Sequence, residues 1–293
     1  MKNIVCFGEV LWDVFPTHKK IGGAPLNVAL RLQSLGNKVS IITRIGDDTK
    51  GTEIADFIAA HGVNTVNVQI DAALETGEVD VLLDENGSAS YTINLNRAWD
   101  NLQLTETALE ATKQADAFVY GSLVARDVIS RNTLYELLKV ANYKILDINL
   151  RAPHYTKTVL NHLMNAADFI KFNDDEIFEI AKSLGFESTS LEDNIQFMSK
   201  QTNTKSICVT KGASGAIYYQ DETFYCNAGY KITVVDTVGA GDSFLGSLIT
   251  KLLQDTPPQD AIDYACAVGA LVASHEGANP KLKEADILAF ITS

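Results

Sequence analysis

Val234–Phe244 reads VVDTVGAGDSF. The paired valines read as the end of an apolar strand. Asp236-Thr237 and Gly239-Ala240-Gly241-Asp242 follow, and an apolar pattern then runs from Phe244 to Leu253. The segment therefore predicts strand, glycine turn, helix. Small residues let backbone N–H groups approach an anion, and a helix start adds partial positive charge. Asp242 would stand beside that anion hole. A carboxylate next to a phosphate is unfavourable unless the chemistry needs it. A general base taking a proton from an attacking hydroxyl is such a need. A plain helix-capping aspartate is the alternative.

The rest of the chain repeats this alternation. Asn3–Phe7, Lys38–Thr43, Ala117–Tyr120, Lys144–Ile148, Phe169–Lys171 and Ser206–Thr210 are apolar and strand-like. Pro25–Leu35 and Gly51–His61 carry helical spacing and stop at Gly36 and Gly62. Continuous apolar strands separated by helices predict an α/β fold: a doubly wound, mostly parallel sheet with helices on both faces. Binding sites in such sheets form at the carboxyl ends of the strands. Val63–Ile93 breaks the rhythm. Val66–Ile70, Glu78–Leu83 and Ser88–Ile93 read as strands, and the last two flank the hairpin signal Asn86-Gly87. A small antiparallel sheet is expected there, too small to hold a core of its own. A lid over an active site is one reading; an edge extension or a dimer surface is the other.

Composition excludes several classes. The 293 residues include 24 Lys+Arg and 37 Asp+Glu, a net charge of −13, which works against a nucleic-acid partner. With 46% hydrophobic and 21% charged residues the chain is ordinary globular protein. Cys6, Cys208, Cys226 and Cys266 form no CxxC pair, so neither a disulfide scaffold nor a zinc site is expected. Cys6 and Cys208 read as buried small hydrophobes. With no charged-then-apolar leader and no long apolar run, a soluble cytoplasmic protein without membrane contact is expected. Asn86-Gly87-Ser88 fits a glycosylation sequon but reads as a turn. Gly46–Thr52 has Walker-like glycine spacing without the required Lys, and Gly239-Ala240-Gly241 lacks the third glycine of a dinucleotide fingerprint.

Further segments carry polar groups at strand ends. Ile21–Ala29, IGGAPLNVA, pairs glycines with a Pro-started helix holding Asn27 in its first turns, suited to the hydroxyls of an uncharged ligand. Asp13 follows the first strand and could accept sugar hydroxyls, or be an exposed loop acid. In Asp147-Ile148-Asn149-Leu150-Arg151, alternation puts Asp147, Asn149 and Arg151 on one side. Arg151 could clamp phosphate or form a surface ion pair. Asn173 and Glu176 could reach Mg²⁺ through water, or cap a helix. Thr210-Lys211-Gly212-Ala213-Ser214-Gly215 is a hairpin turn or a backbone ledge for nucleotide.

In this order, GGAPxN, GDDxxG, DxNxR, NxxE, TxGxxG and DTxGAGDxF resemble the ribokinase-like (PfkB) carbohydrate kinases, from Gly8 to about Pro280. GEVLWD, Arg97-Ala98-Trp99-Asp100 and Gly121-Ser122 look most similar to fructokinases. The resemblance implies one α/β domain over 1–293, with a β lid at about 10–21 and 63–98. It implies ATP-dependent phosphorylation of a sugar hydroxymethyl group, fructose first. Ribose, 2-keto-3-deoxygluconate or a nucleoside are alternative acceptors, and a non-catalytic sugar or nucleotide sensor is the non-kinase alternative. By position it makes Asp242 the base and Gly239, Ala240 and Gly241 the anion hole, with Arg151 near the transferred phosphate. Asp13, Gly23, Asn27 and Arg97 face the sugar. Thr210, Lys211, Gly212, Gly215 and Asn173 line the nucleotide site, with Gly241. Glu176 belongs to Mg²⁺, and Asp236, Val238 and Gly277 to a monovalent cation such as K⁺, near which Lys281 stands. Two copies would pair through the lid.

Overall fold

The computed structural model describes residues 1–83 and 89–292. The Asn86-Gly87 turn and the sequon lie outside them. Strands and helices alternate through two compact units, Asn3–Asn142 and Tyr143–Ser293.

The first unit holds β1 (Asn3–Phe7), β2 (Leu11–Val14), β3 (Lys19–Gly22), α1 (Ala24–Ser34), β4 (Lys38–Gly46), α2 (Thr49–Ala60), β5 (Val68–Asp71), β6 (Gly77–Leu83), β7 (Ala89–Ile93), α3 (Glu106–Gln114), β8 (Ala117–Gly121) and α4 (Val128–Leu138). Its main sheet runs β8-β1-β4-β5, all parallel. Ile4, Val5, Cys6 and Phe7 are all buried. Neighbouring strand residues point to opposite faces, so unbroken burial means both faces are covered.

A separate sheet runs β3-β2-β6-β7. It is mixed rather than antiparallel, because β2 and β6 pair in parallel. Leu11 and Val79 form its apolar centre, with Phe15 and Ile93 against them. The Val66–Ile70 run does not join this sheet. As β5 it pairs in parallel with β4, Thr43 opposite Val68, and becomes the edge of the main sheet. Two acids fix that arrangement. Asp71 binds Arg44 Nε at 2.8 Å and accepts the N–H groups of Ala73 and Leu74 at 2.9 Å. Asp48 caps α2 through Gly51 N at 2.7 Å and also takes both N–H and Oγ1–H of Thr76, the residue before β6. The GDDTKG segment is thus the root of the small sheet.

The second unit holds β9 (Lys144–Asp147), α5 (Lys157–Ala166), β10 (Phe169–Asn173), α6 (Asp174–Ser183), α7 (Leu191–Thr202), β11 (Ser206–Thr210), β12 (Ala216–Gln220), β13 (Thr223–Asn227), α8 (Ala240–Leu253), α9 (Pro258–Ala273) and α10 (Glu284–Ile291). Strands β9, β10 and β11 are parallel, and β12 and β13 extend the sheet as antiparallel hairpins. Cys6, Cys208 and Cys266 are buried and Cys226 is exposed. One sequence expectation fails here. Val234 and Val235 do not end a strand: they lie in an irregular segment, 58% and 55% exposed. Two β-branched residues in a row satisfied the strand pattern, but among the described residues no strand pairs with them, and the Val235 N–H goes instead to the Ala273 carbonyl at the end of α9, at 2.9 Å.

Burial works against ionisation of Asp71, but Asn101, the Ala73 and Leu74 amides and Arg44 outweigh it and hold the carboxyl down at about 2. An unfolded aspartate titrates near ~3.9. The folded value is the lower one, so this contribution to stability is complete above pH ~4 and lost as pH falls through 2. Both tryptophans, Trp12 and Trp99, belong to the first unit. Urea midpoints from tryptophan fluorescence are expected to drop between pH 4 and 2, and Asp71→Asn to flatten that drop.

Candidate active site

The polar residues expected to meet sugar belong to the first unit. Asp13 lies on β2 opposite Lys20 of β3. A side chain at Gly22 would bring its Cβ to 2.4 Å from Asp13 Oδ2, so the missing side chain makes room for the carboxylate. Gly23 follows and caps α1 with its backbone. Asn27, buried in the first turns of α1, donates its backbone N–H to the Gly23 carbonyl at 2.9 Å. Asp13, Gly23 and Asn27 thus share one β2–β3–α1 corner. Arg97 begins a short 3₁₀ turn and pairs with Glu75. Its Nε is buried without a hydrogen bond among the described residues. Beside it Arg126 grips Asp100 through two nitrogens, at 2.7 and 2.8 Å, and covers the Trp99 ring at 3.9 Å. That pair stiffens the turn carrying Arg97.

The residues expected to meet phosphate belong to the second unit. The expected glycine turn opens α8. Gly239 is its N-cap at φ 74, with Ala240, Gly241 and Asp242 as the first three helical residues. A Cβ at Gly239 would stand 2.4 Å from Ala278 Cβ, in a backbone region disfavoured for other residues. Gly239 therefore fits the turn against the 275–281 loop. Ala240 N–H already donates to the Thr237 carbonyl at 3.3 Å. Gly241 is exposed in the same turn, where helix geometry leaves N–H groups without intrahelical acceptors. Of the expected anion hole, Gly241 is the best-presented donor.

The 236 and 277 segments are joined by Asp236. Its Oδ1 accepts from Val238 N at 3.0 Å and its Oδ2 from Gly277 N at 3.1 Å. Lys281 is exposed. In the DINLR segment the expected alternation breaks. Strand β9 ends at Asp147, and Asn149 turns left-handed at φ 40. Asp147 is consequently buried, while Arg151 is exposed with Nη1 on the neighbouring Leu150 carbonyl at 2.9 Å.

Asn173 and Glu176 form a reciprocal capping box on α6, each side chain bonding the other's backbone N–H at 2.8 Å. The other Glu176 oxygen accepts Leu150 N at 2.8 Å. Burial raises the Glu176 pKa, while Lys171 and the Asn173 amide oppose the rise. Thr210–Gly215 makes the β11–β12 turn, closed by Lys211 N to Gly215 O at 2.8 Å, with Gly212–Ser214 as one 3₁₀ turn. Thr210 Oγ1 reaches the Phe172 carbonyl at 3.4 Å.

Lys171 is a residue the sequence reading passed over. It is 7% exposed on β10, and Nζ binds Asp147 Oδ1 at 2.8 Å. Its signal was available: a lone charge inside FIKFN, where every neighbour from Phe169 to Phe172 is buried and apolar.

A glycine-started helix bearing an acid in its first turn, on a mostly parallel α/β scaffold, suits a phosphotransferase acting on a hydroxyl. The pattern of the pfkB family carbohydrate kinases matches residues 1–285, and the chain belongs to that family. Fructokinase-1 from Oryza sativa subsp. japonica is 30% identical over 99% of this chain and 98% of the relative. A fructokinase from Xylella fastidiosa, solved with bound ATP, superposes with a TM-score of 0.87 at 23% identity, covering 99% of this chain and 98% of the other. A fructokinase double mutant from Vibrio cholerae O395, in its fructose, ADP and potassium ion bound form, gives 0.84 at 24% identity over the same shares. This protein is a carbohydrate kinase with a sugar hydroxyl as acceptor.

The two outer glycines of the turn should respond differently to substitution. Gly239→Ala meets Ala278 at left-handed φ, and overpacking with backbone strain should cost about 2–4 kcal/mol. A Cβ at Gly241 meets nothing closer than Lys171 Nζ at 3.8 Å, so Gly241→Ala should stay within ~1 kcal/mol of the parent. Urea unfolding of both variants by circular dichroism checks the contrast.

Proposed function

We propose that the acceptor is fructose and the donor ATP, giving fructose 6-phosphate and ADP. The observation that carries the phosphotransfer reading is Asp242 in the first turn of α8, one residue after exposed Gly241. The fructose reading leans on the names of the relatives and on the Asp13, Gly23 and Asn27 corner, whose carboxylate and amide suit neutral hydroxyls.

In this reading Asp13, Gly23, Asn27 and Arg97 hold and orient the sugar. Closing of the β3-β2-β6-β7 lid then keeps water from competing as acceptor. Asp242 accepts the proton of the primary hydroxyl as its oxygen attacks the γ-phosphorus. The Gly241 N–H, the α8 N-terminus and Arg151 stabilise charge spreading over the phosphoryl oxygens. Thr210, Lys211, Gly212, Gly215 and Asn173 present backbone and polar groups to the nucleotide.

The described residues contain no group of three His, Cys, Asp or Glu placed to cage a metal. Buried Glu176, with both oxygens bonded to amides, fits contact through water with a Mg²⁺ ion that arrives on the ATP phosphates. When bound, Mg²⁺ neutralises phosphate charge. The Asp236–Val238 and Gly277 segments, pinned together by the Asp236 carboxylate, would offer carbonyl oxygens to K⁺. No described helix is long and apolar enough to cross a membrane; the proposed location is the cytoplasm. The proposed homodimer pairs through the lid, whose edges are β3 and β7.

Asp242→Asn should lower kcat about 10²–10⁴-fold, the range for loss of a general base, with little change in sugar KM. Turnover near the parent's would remove Asp242 from this role. ADP production against fructose, ribose, 2-keto-3-deoxygluconate and a nucleoside tests the acceptor, with fructose expected to give the highest kcat/KM. A higher value for any other acceptor replaces fructose in the reading. The same panel with K⁺ exchanged for tetramethylammonium should run slower; equal rates would remove the K⁺ site.

A further inference from the structure

We propose that Lys171 is a catalytic residue: a buried ammonium, held in place by Asp147, that donates hydrogen bonds to the phosphoryl group during transfer. The inference rests on the kinase reading above.

The geometry comes from the second unit alone. Lys171 Nζ binds Asp147 Oδ1 at 2.8 Å, with both side chains under a tenth exposed. From there it reaches the open end of α8, where a Cβ on Gly241 would stand 3.8 Å from Nζ. An ammonium has three N–H donors. Among the described residues, Asp147 Oδ1 is the one hydrogen-bond partner Nζ has. Asp147 Oδ2 is buried with no partner among them. The pair is therefore only half satisfied, and the unused donors belong to a cation beside exposed Gly241.

Placement makes a purely structural role a poor fit. A buried ammonium near a helix N-terminus sets positive charge against the positive end of the helix dipole. Burial works against its charge, and the carboxylates of Asp147, Glu176 and Asp242 outweigh this and raise its pKa, so the cation persists. A buried ion pair is seldom more stable than apolar residues of the same volume. Cationic and backbone donors meeting at one exposed glycine suit an anion with several oxygens, and phosphoryl transfer supplies one.

In the step itself the sugar oxygen bonds to the γ-phosphorus and gives its proton to Asp242. The bond from that phosphorus to the β–γ bridging oxygen breaks, and its electron pair leaves with ADP. Lys171 gives up no proton; its N–H groups follow the non-bridging oxygens as their charge grows. Its contribution is larger in the transition state than in bound ATP, so it appears in kcat before KM.

The test compares the parent with Lys171→Met and with Lys171→Met combined with Asp147→Asn, which removes both charges at similar volume. Thermal unfolding, ADP affinity by calorimetry, kcat and both KM values are measured on each. The expected result is a kcat drop of 10²-fold or more in the double variant, with Tm, ADP affinity and sugar KM near the parent's. A double variant within threefold of the parent kcat would overturn the proposal. So would parallel loss of Tm, ADP affinity and kcat, which marks a structural pair. Should Lys171→Met alone misfold, the double variant decides. If the parent transfers phosphate to no sugar in the panel, the kinase reading falls and this proposal with it, an outcome distinct from the other two.

Discussion

The Glu176 carboxylate joins the ends of two neighbouring strands. One oxygen takes the N–H of Leu150, just past β9, and the other takes the N–H of Asn173, at the end of β10. Backbone N–H groups at strand ends have no ladder partner, and leaving them buried costs more than most side-chain contacts return. With that side chain in place, the chain can turn left-handed at Asn149 and start α6 at once. Asp147 and Lys171, one on each strand, then face each other under α8. The arrangement at the start of α8 follows from where these two strands stop.

Acids serve as backbone acceptors elsewhere too. Asp48 ties α2 to the root of the small sheet, Asp71 accepts the Ala73 and Leu74 amides while pairing β5 with Arg44 of β4, and Asp236 ties the turn before α8 to the loop after α9. The net charge of −13 is thus partly internal carpentry. These carboxylates receive hydrogen bonds and are not all available to repel a polyanion. Attraction of a nucleotide must still be local, since the chain has no excess of basic residues to supply a broad positive field.

Much of this was legible in the sequence, for identifiable reasons. Buried parallel strands such as Ser206–Thr210 announce themselves because both faces need apolar side chains. The Gly239–Asp242 turn was legible because small residues directly before an apolar helical pattern mark a tight turn into a helix. Pattern failed where tertiary partners decide. Val234-Val235 satisfied a strand pattern but found no ladder. Val66–Ile70 had a strand's composition but nothing to say which sheet would take it; Asp71 and Arg44 decide that from outside the run. The acids of NxxE and DINLR were visible as polar groups at strand ends. The NxxE spacing already offered the helix cap; that Asp147 seats a lysine depends on Lys171 of the neighbouring strand, which spacing does not reveal.

The distribution of thiols gives the molecule an internal clock. Cys226 lies open on β13, next to Asn227, whose carbonyl crowds Gly215 in the β11–β12 turn. Cys6, Cys208 and Cys266 sit inside β1, β11 and α9, where burial keeps the thiol form and bars reagent. A folded chain therefore presents one cysteine thiol to a thiol-alkylating agent, and each of the others becomes reactive only when its own element opens. The order of their modification would rank the opening of three different places without a single substitution.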